Sequence, residues 1–126
     1  MIPENPPIQA AFARAFAQDW IDAWNGHDIE RILSHYDDDD DVTLASPVAL
    51  RLVNDGVLRG KAALRDYFTR GLEAYPNLRF DLIDTFWGIE TIILYFSSNF
   101  RSSKTAEVML LNPSGKVTRV WANYNE

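Results

Sequence analysis

The sequence predicts an α+β domain in which three helices from the N-terminal half pack on one face of a curved, mostly antiparallel sheet. Three observations predict it. Apolar residues recur at helical spacing up to residue 75, they recur at a spacing of two from residue 78 onward, and turn residues separate the later runs. At 126 residues the chain carries a single domain, residues 1–126, with an ordered core expected over about 8–125.

Pro6 and Pro7 close an extended lead, after which Ile8, Phe12, Ala15, Phe16, Trp20, Ile21 and Trp24 share one helical face and predict a helix over 8–25. Asn25-Gly26 ends it. Asp28 suits the N-cap of a second helix from Ile29 to about Tyr36, which buries Ile32, Leu33 and Tyr36 and completes an αα-hairpin. The five consecutive acids Asp37 to Asp41 repel one another and predict a solvated loop. An EF-hand beginning at Asp37 would need glycine where Val42 stands, so calcium binding is not expected. Val42 to Ser46 reads as a short strand ended by Pro47, and Asp55-Gly56 as a turn before Val57 and Leu58.

Gly60 precedes a third helical stripe, Leu64, Tyr67, Phe68, Gly71, Leu72 and Tyr75, which stops at Pro76. From there the period is two. Leu78, Phe80, Leu82 and Phe86 are expected on one face, and Gly88 separates this strand from the next, Thr91 to Phe96. Asn112 to Gly115 turns the chain between two more strands, Thr105 to Leu111 and Val117 to Tyr124.

Composition narrows the function classes. Hydrophobic residues at 47% and charged residues at 24% exclude a disordered, collagen-like or coiled-coil chain. The first residues lack a basic start and an apolar stretch, and no run of about 18 apolar residues follows, so a cytoplasmic protein without a membrane partner is expected. The absence of cysteine excludes disulfides, thiolate metal sites and cysteine nucleophiles. The net charge of −6 divides into −8 over residues 1–50 and +2 over 51–126, with the bases scattered singly, which argues against nucleic acid. Two histidines are too few for a three-histidine metal site, and His27 and His35 are expected in surface or capping roles. With no glycine-rich phosphate loop and no GxSxG elbow, no cofactor is expected.

The order of elements, together with Trp24-Asn25-Gly26-His27-Asp28-Ile29, Tyr36-Asp37-Asp38, Ser46-Pro47, the run Gly60 to Phe68 and Gly115-Lys116-Val117, resembles the nuclear transport factor 2-like superfamily. It is most similar to the branch of SnoaL-like polyketide cyclases and ketosteroid isomerase. The resemblance implies a cone-shaped α+β barrel whose open end is an apolar pocket, and a homodimer formed through the outer face of the sheet, where Trp121 and Asn123 would lie. It fixes the fold better than the activity, because one scaffold hosts many chemistries.

The abundant aromatic residues, among them Phe12, Phe16, Trp20, Trp24, Tyr67, Phe68, Phe80, Phe86, Trp87, Tyr95, Phe96 and Trp121, fit either a pocket for a flat apolar molecule or a filled core. Phe16, Trp20, Ser46, Tyr67, Phe68, Met109 and Val120 are the expected pocket residues. Polar groups in apolar phases carry more information, since burying a carboxylate costs several kcal/mol unless it is paired or protonated. Glu107 shares its strand face with Met109 and Leu111; it either lines the pocket, held partly neutral as a hydrogen-bond donor or general acid, or faces solvent, paired with Arg119. Asp84 shares the phase of Leu78, Phe80 and Leu82, with a bulge near Gly88 expected to turn it outward.

In ketosteroid isomerase an Asp base moves a proton between carbons while a Tyr and a protonated Asp donate hydrogen bonds to the dienolate oxygen. By the resemblance that protonated acid falls on Glu107, the Tyr on Trp20 and the base on Ser46. An unassisted serine does not serve as that base near neutral pH. Two readings follow: a cofactor-independent isomerase or cyclase acting next to a carbonyl, with Glu107 as the catalytic group, or a non-catalytic binding or dimerisation module. Arg51, Arg59 and Arg101 could face an acidic substrate, although isolated arginines are usually solvated.

Overall fold

The computed structural model describes residues 8–38 and 41–126. The Pro6-Pro7 lead and the centre of the acidic run, Asp39 and Asp40, lie outside them. The elements are α1 (Ala10–Asn25), α2 (Ile29–Leu33), β1 (Thr43–Ala45), a short 3-10 helix (Pro47–Arg51), β2 (Val57–Arg59), α3 (Lys61–Ala74), β3 (Phe80–Trp87), β4 (Thr91–Ser98), β5 (Lys104–Leu111) and β6 (Val117–Tyr124). The six strands form one sheet in the order β2-β1-β6-β5-β4-β3, antiparallel except for the parallel β1–β6 pair. The sheet is not closed. β2 and β3 are its edges, and the helices cover its concave face.

α1 buries Ala13, Phe16, Ala17, Trp20, Ile21, Ala23 and Trp24, the stripe that its three- and four-residue spacing specifies. Its last residue fixes its position on the sheet. Asn25 Nδ2 donates to the carbonyl of Phe80 at 2.9 Å, and the Phe80 N–H donates to Asn25 Oδ1 at 2.7 Å, so one amide satisfies both backbone groups of the first residue of edge strand β3. His27, at φ +53°, turns the chain back and bonds the Leu78 carbonyl at 2.9 Å.

α2 begins where expected, with the Asp28 side chain accepting from the Arg31 N–H at 3.1 Å. It ends earlier, at Leu33 instead of Tyr36. The backbone there extends beside β6, the Val117 N–H donating to His35 O at 2.8 Å and the Asp37 N–H to Val117 O at 2.9 Å, and these bonds compete with further helix. His35 therefore leaves the helix and is half-buried. It bonds Asp19 at 2.7 Å and meets the Phe16 ring edge-on at 4.9 Å, and burial holds its pKa below the ordinary value although Asp19 favours the charged form.

β3 corrects the predicted strand phase. The register passes from Leu82 opposite Phe96 to Asp84 opposite Tyr95, so Ile83 is bulged and every later residue changes face. Asp84 points outward as expected, but through a bulge five residues ahead of Gly88, and Phe86 goes outward with it at 50% exposure. Phe86, Ile93, Val108 and Trp121 then stand opposite one another across β3, β4, β5 and β6 as an apolar row on the convex face. Phe12, Trp87 and Trp121 are also substantially exposed, so part of the aromatic set belongs neither to the core nor to a pocket. Gly115, at φ +79° in the β5–β6 turn, leaves room for the Phe12 ring, which would lie 3.2 Å from an added Cβ.

Replacing Asn25 by Ala removes both bonds to Phe80 and leaves two backbone groups at the helix–strand junction without this partner. The expected cost is ~1–3 kcal/mol, read as a lower midpoint in chemical denaturation; an unchanged midpoint would assign the register of α1 on β3 to apolar packing alone.

Candidate functional site

α1, the 3-10 helix, α3 and the concave face of the sheet enclose a cavity of about 270 Å³. Its floor is aromatic. Trp20 stacks on Phe80 (5.8 Å, 11° between planes), Trp24 meets Phe68 edge-on at 5.1 Å, and Phe96 packs on Phe80 at 4.7 Å. These rings serve as core on one side and cavity wall on the other, so the choice between filled core and pocket resolves into both. Exposed residues of the lining mark the mouth: Arg51 and Leu52 at and after the end of the 3-10 helix, and Arg70 and Tyr75 on and after α3.

Strand alternation decides which residues of β5 and β6 reach the cavity. Thr105 pairs with Tyr124 and, two residues deeper, Glu107 with Ala122, and all four face into the cavity. Ala122 presents only a methyl group opposite Glu107. Met109 and Val120, the next inward pair, are fully buried beyond the closed end of the cavity, so they share the expected face but do not line it. Phe16 is likewise outside the lining, because it lies one helical turn before Trp20 and packs against His35. Trp20, Ser46, Tyr67, Phe68 and Glu107 are brought together.

Glu107 is half-buried as a residue, but its Oε2 is sealed from solvent and has no hydrogen-bond partner. Burial pushes its pKa up to about 8. At neutral pH the group is therefore chiefly a carboxylic acid, with one O–H to donate. Arg119 is not its partner: it lies opposite Leu110, on the other face of the sheet. Two further buried polar atoms lack partners among the described residues, Trp24 Nε1 and Ser98 Oγ, and both residues line the same cavity. All three residues thus line one cavity, Glu107 deeper along β5 and Ser98 at the end of β4. Buried polar atoms are nearly always bonded, and leaving one unsatisfied costs ~1–3 kcal/mol.

The hydroxyls beside Glu107 act as donors, not bases. Burial pushes the Tyr67 phenol up to about 12 and raises Tyr124, so both stay protonated at neutral pH. Ser46 bonds Tyr67, approaches Tyr124 Oη at 3.5 Å and accepts from the Val48 N–H at 3.2 Å, which commits its oxygen to capping the 3-10 helix. The Trp20 N–H, expected to face a ligand, donates instead to Tyr36 Oη at 3.2 Å within the core. Tyr36 is completely buried outside the lining, and its phenol is driven up by burial and by Glu107.

Sequence reasoning missed Tyr124 and Ser98, and named Arg101 only among isolated arginines that could face an acidic substrate. Tyr124 was detectable, two residues beyond Ala122 on the inward phase of β6. Arg101 lies in the β4–β5 turn, where no period predicts direction; its guanidinium sits 4.3 Å over the Tyr124 ring. Among the described residues no three His, Asp or Glu side chains gather as a metal site, and no helix is long and apolar enough to cross a membrane.

A search of curated proteins finds no match. Among solved structures, a SnoaL-like protein of unknown function from Burkholderia thailandensis aligns at 34% identity and TM-score 0.88, over 95% of this chain and 99% of its own. A nuclear transport factor 2-like protein of unknown function from Cytophaga hutchinsonii shares the fold at 12% identity and TM-score 0.68, covering 90% and 89%. A Kribbella flavida protein provisionally named a ketosteroid isomerase does so at 18% identity and TM-score 0.66, covering 92% and 79%. The SnoaL-like domain model matches residues 17–122. With that match spanning most of the sequence and a relative at 34% identity along nearly all of it, the chain belongs to the SnoaL-like family.

Proposed function

We propose that the protein binds a small, flat, largely apolar molecule bearing a carbonyl or phenolic oxygen, and that Glu107 donates a hydrogen bond or a proton to that oxygen. One observation carries this reading: the three residues whose buried polar atoms lack partners among the described residues all line a single aromatic cavity. A ligand oxygen beside Glu107 would receive the O–H that the empty protein leaves unsatisfied, in surroundings that strengthen the bond. Trp20, Tyr67 and Phe68 would position the ligand through their ring faces and edges. The fold relative named as an isomerase fits such chemistry, since stabilising an oxygen that gains negative charge is what drives proton transfer next to a carbonyl.

A second reading, binding without turnover, is favoured by a specific feature. Burial brings the Glu107 pKa near neutral pH, whereas Ser46, Tyr67 and Tyr124 do not accept a proton there, so the described residues of the lining supply no separate carboxylate or imidazole base. A screen of β,γ-unsaturated ketones for conversion to the conjugated isomer separates the two. Turnover lost in Glu107→Gln supports the enzyme, and tight binding without turnover supports the module.

Tryptophan fluorescence tests occupancy, because Trp24 lines the site. A cyclic enone is expected to change the emission saturably, with affinity falling about tenfold between pH 7 and pH 9 as the acid form of Glu107 is lost. Glu107→Gln should bind with no such pH dependence. Absence of saturable binding, or matching pH profiles for the two proteins, would refute the role of Glu107.

The same carboxyl makes a prediction about stability. Its folded pKa lies above the unfolded value, so the native state holds the extra proton between about pH 4.5 and 8, and stability falls as pH rises through that window. Glu107→Gln should therefore melt at least about 3 °C above the natural protein at pH 8, with the difference vanishing near pH 4.5. Scanning calorimetry at both pH values checks this; a constant difference would mean that the carboxyl is solvated.

We further propose a homodimer that covers the row Phe86, Ile93, Val108 and Trp121 on the convex face. Sedimentation velocity at micromolar concentration should give the dimer mass, and Trp121→Glu the monomer. A monomeric natural protein would remove this assembly.

A further inference from the structure

The mouth of the cavity differs in charge from the rest of the molecule. The chain carries a net charge of −6, yet the charged residues lining the cavity are Arg51, Arg70 and Arg101, with Glu107 alone at depth. Each arginine comes from a different segment: the end of the 3-10 helix, the second half of α3 and the β4–β5 turn. Arg70 is balanced by Asp66 at 2.9 Å. Arg51 and Arg101 enter none of the ion pairs among the described residues. Arg51 is exposed at the rim. Arg101 is partly buried and held over the Tyr124 and Phe100 rings, at 4.3 and 5.4 Å from their centroids. A guanidinium fixed on two aromatic faces keeps its N–H edge available, with less side-chain freedom left to lose when an anion arrives.

The two ends of the cavity are set apart along β5. Tyr124, beneath Arg101, stands opposite Thr105, and Glu107 lies two residues further in. At roughly 3.3 Å of rise per residue, and with the reach of both side chains, the Glu107 carboxyl at depth and the guanidinium at the mouth are about 7–10 Å apart. The wall between them is aromatic.

We infer that the ligand is an amphipathic aromatic or polycyclic carboxylic acid, whose uncharged oxygen meets Glu107 at depth and whose carboxylate lies at the mouth against Arg101 and Arg51. This rests on the ligand-binding reading above and adds the substrate class to it. The carboxylate is the group that the two unpaired guanidinium ions recognise, by charge-assisted and bidentate hydrogen bonds. Orientation follows from the same arrangement. The reverse pose would bring an anion against an apolar floor and place a neutral oxygen at two solvated cations. Arg101, held in place by its aromatic neighbours, is the specificity-determining residue, and Arg51 adds longer-range attraction.

Calorimetry at pH 7 and low salt with two probes tests the inference: 6-hydroxy-2-naphthoic acid, which carries its hydroxyl and carboxylate at opposite ends, and its methyl ester. The acid is expected to bind the natural protein at least tenfold more tightly than the ester. That ratio should fall several-fold in Arg101→Gln, less in Arg51→Gln, and towards one at high salt; Arg119→Gln, on the convex face, should leave it unchanged. Because Arg51 is exposed, its variant keeps the test informative if Arg101→Gln folds poorly. Equal affinities for acid and ester, or equal losses of both in Arg101→Gln, would overturn the acid assignment while leaving the pocket reading intact. Failure of both probes to bind the natural protein would overturn the two together.

Discussion

The contact on which the site most depends is the Asn25 side chain closing on both backbone groups of Phe80. An edge strand exposes unpaired N–H and C=O groups, and the end of α1 satisfies a pair of them where the strand begins. That pair of bonds fixes the height of α1 along β3, and with it the placement of Trp20 and Trp24, five and one residues before Asn25, on Phe80 and Phe68. If the helix slid by a turn, Phe16 would take the place of Trp20 and the aromatic floor would be lost. The cavity is thus a consequence of where one polar residue stops a helix.

Much of the architecture was legible because it depends on many apolar positions acting in phase. Trp20 and Trp24 on α1, Leu64 and Phe68 on α3, and Met109 and Val120 on β5 and β6 are all buried as their periods require. Two departures arose where a single local event overrides a period. The bulge at Ile83 reverses the phase of the second half of β3 and carries Phe86 to the convex face, and nothing in an apolar alternation marks such an insertion. The end of α2 was misplaced because Tyr36 belongs by spacing to the helical stripe, whereas the backbone on either side of it pairs with Val117, 81 residues away in sequence.

The site was legible in phase but not in depth. Glu107 stood out as a carboxyl on an apolar face, and its inward direction follows from strand alternation. Alternation repeats every two residues, however, so it cannot say which of Glu107 and Met109 reaches open space; that depends on where the cone closes. Arg101 and Ser46 lie outside regular strands, where the chain path sets direction. The partner of the Trp20 N–H, Tyr36, lies on the extended segment after α2, which spacing along α1 does not place opposite it.

The polar chemistry of the cavity is lopsided in a way that constrains what it does. Burial keeps Glu107, Tyr67 and Tyr124 protonated near neutral pH, and Trp24 and Ser98 add an N–H and an O–H with no partner, so the interior offers donors and almost no base. Each unsatisfied group destabilises the empty fold, and a well-packed apolar substitute would remove that penalty. A ligand that binds only the native state restores the lost stability by mass action, which offsets the penalty whenever the cavity is occupied. The same donors, held in place before the ligand arrives and screened from water, act most strongly on an oxygen that is gaining negative charge. Binding and any catalysis by this cavity therefore draw on one property, a set of buried donors that the fold cannot satisfy internally.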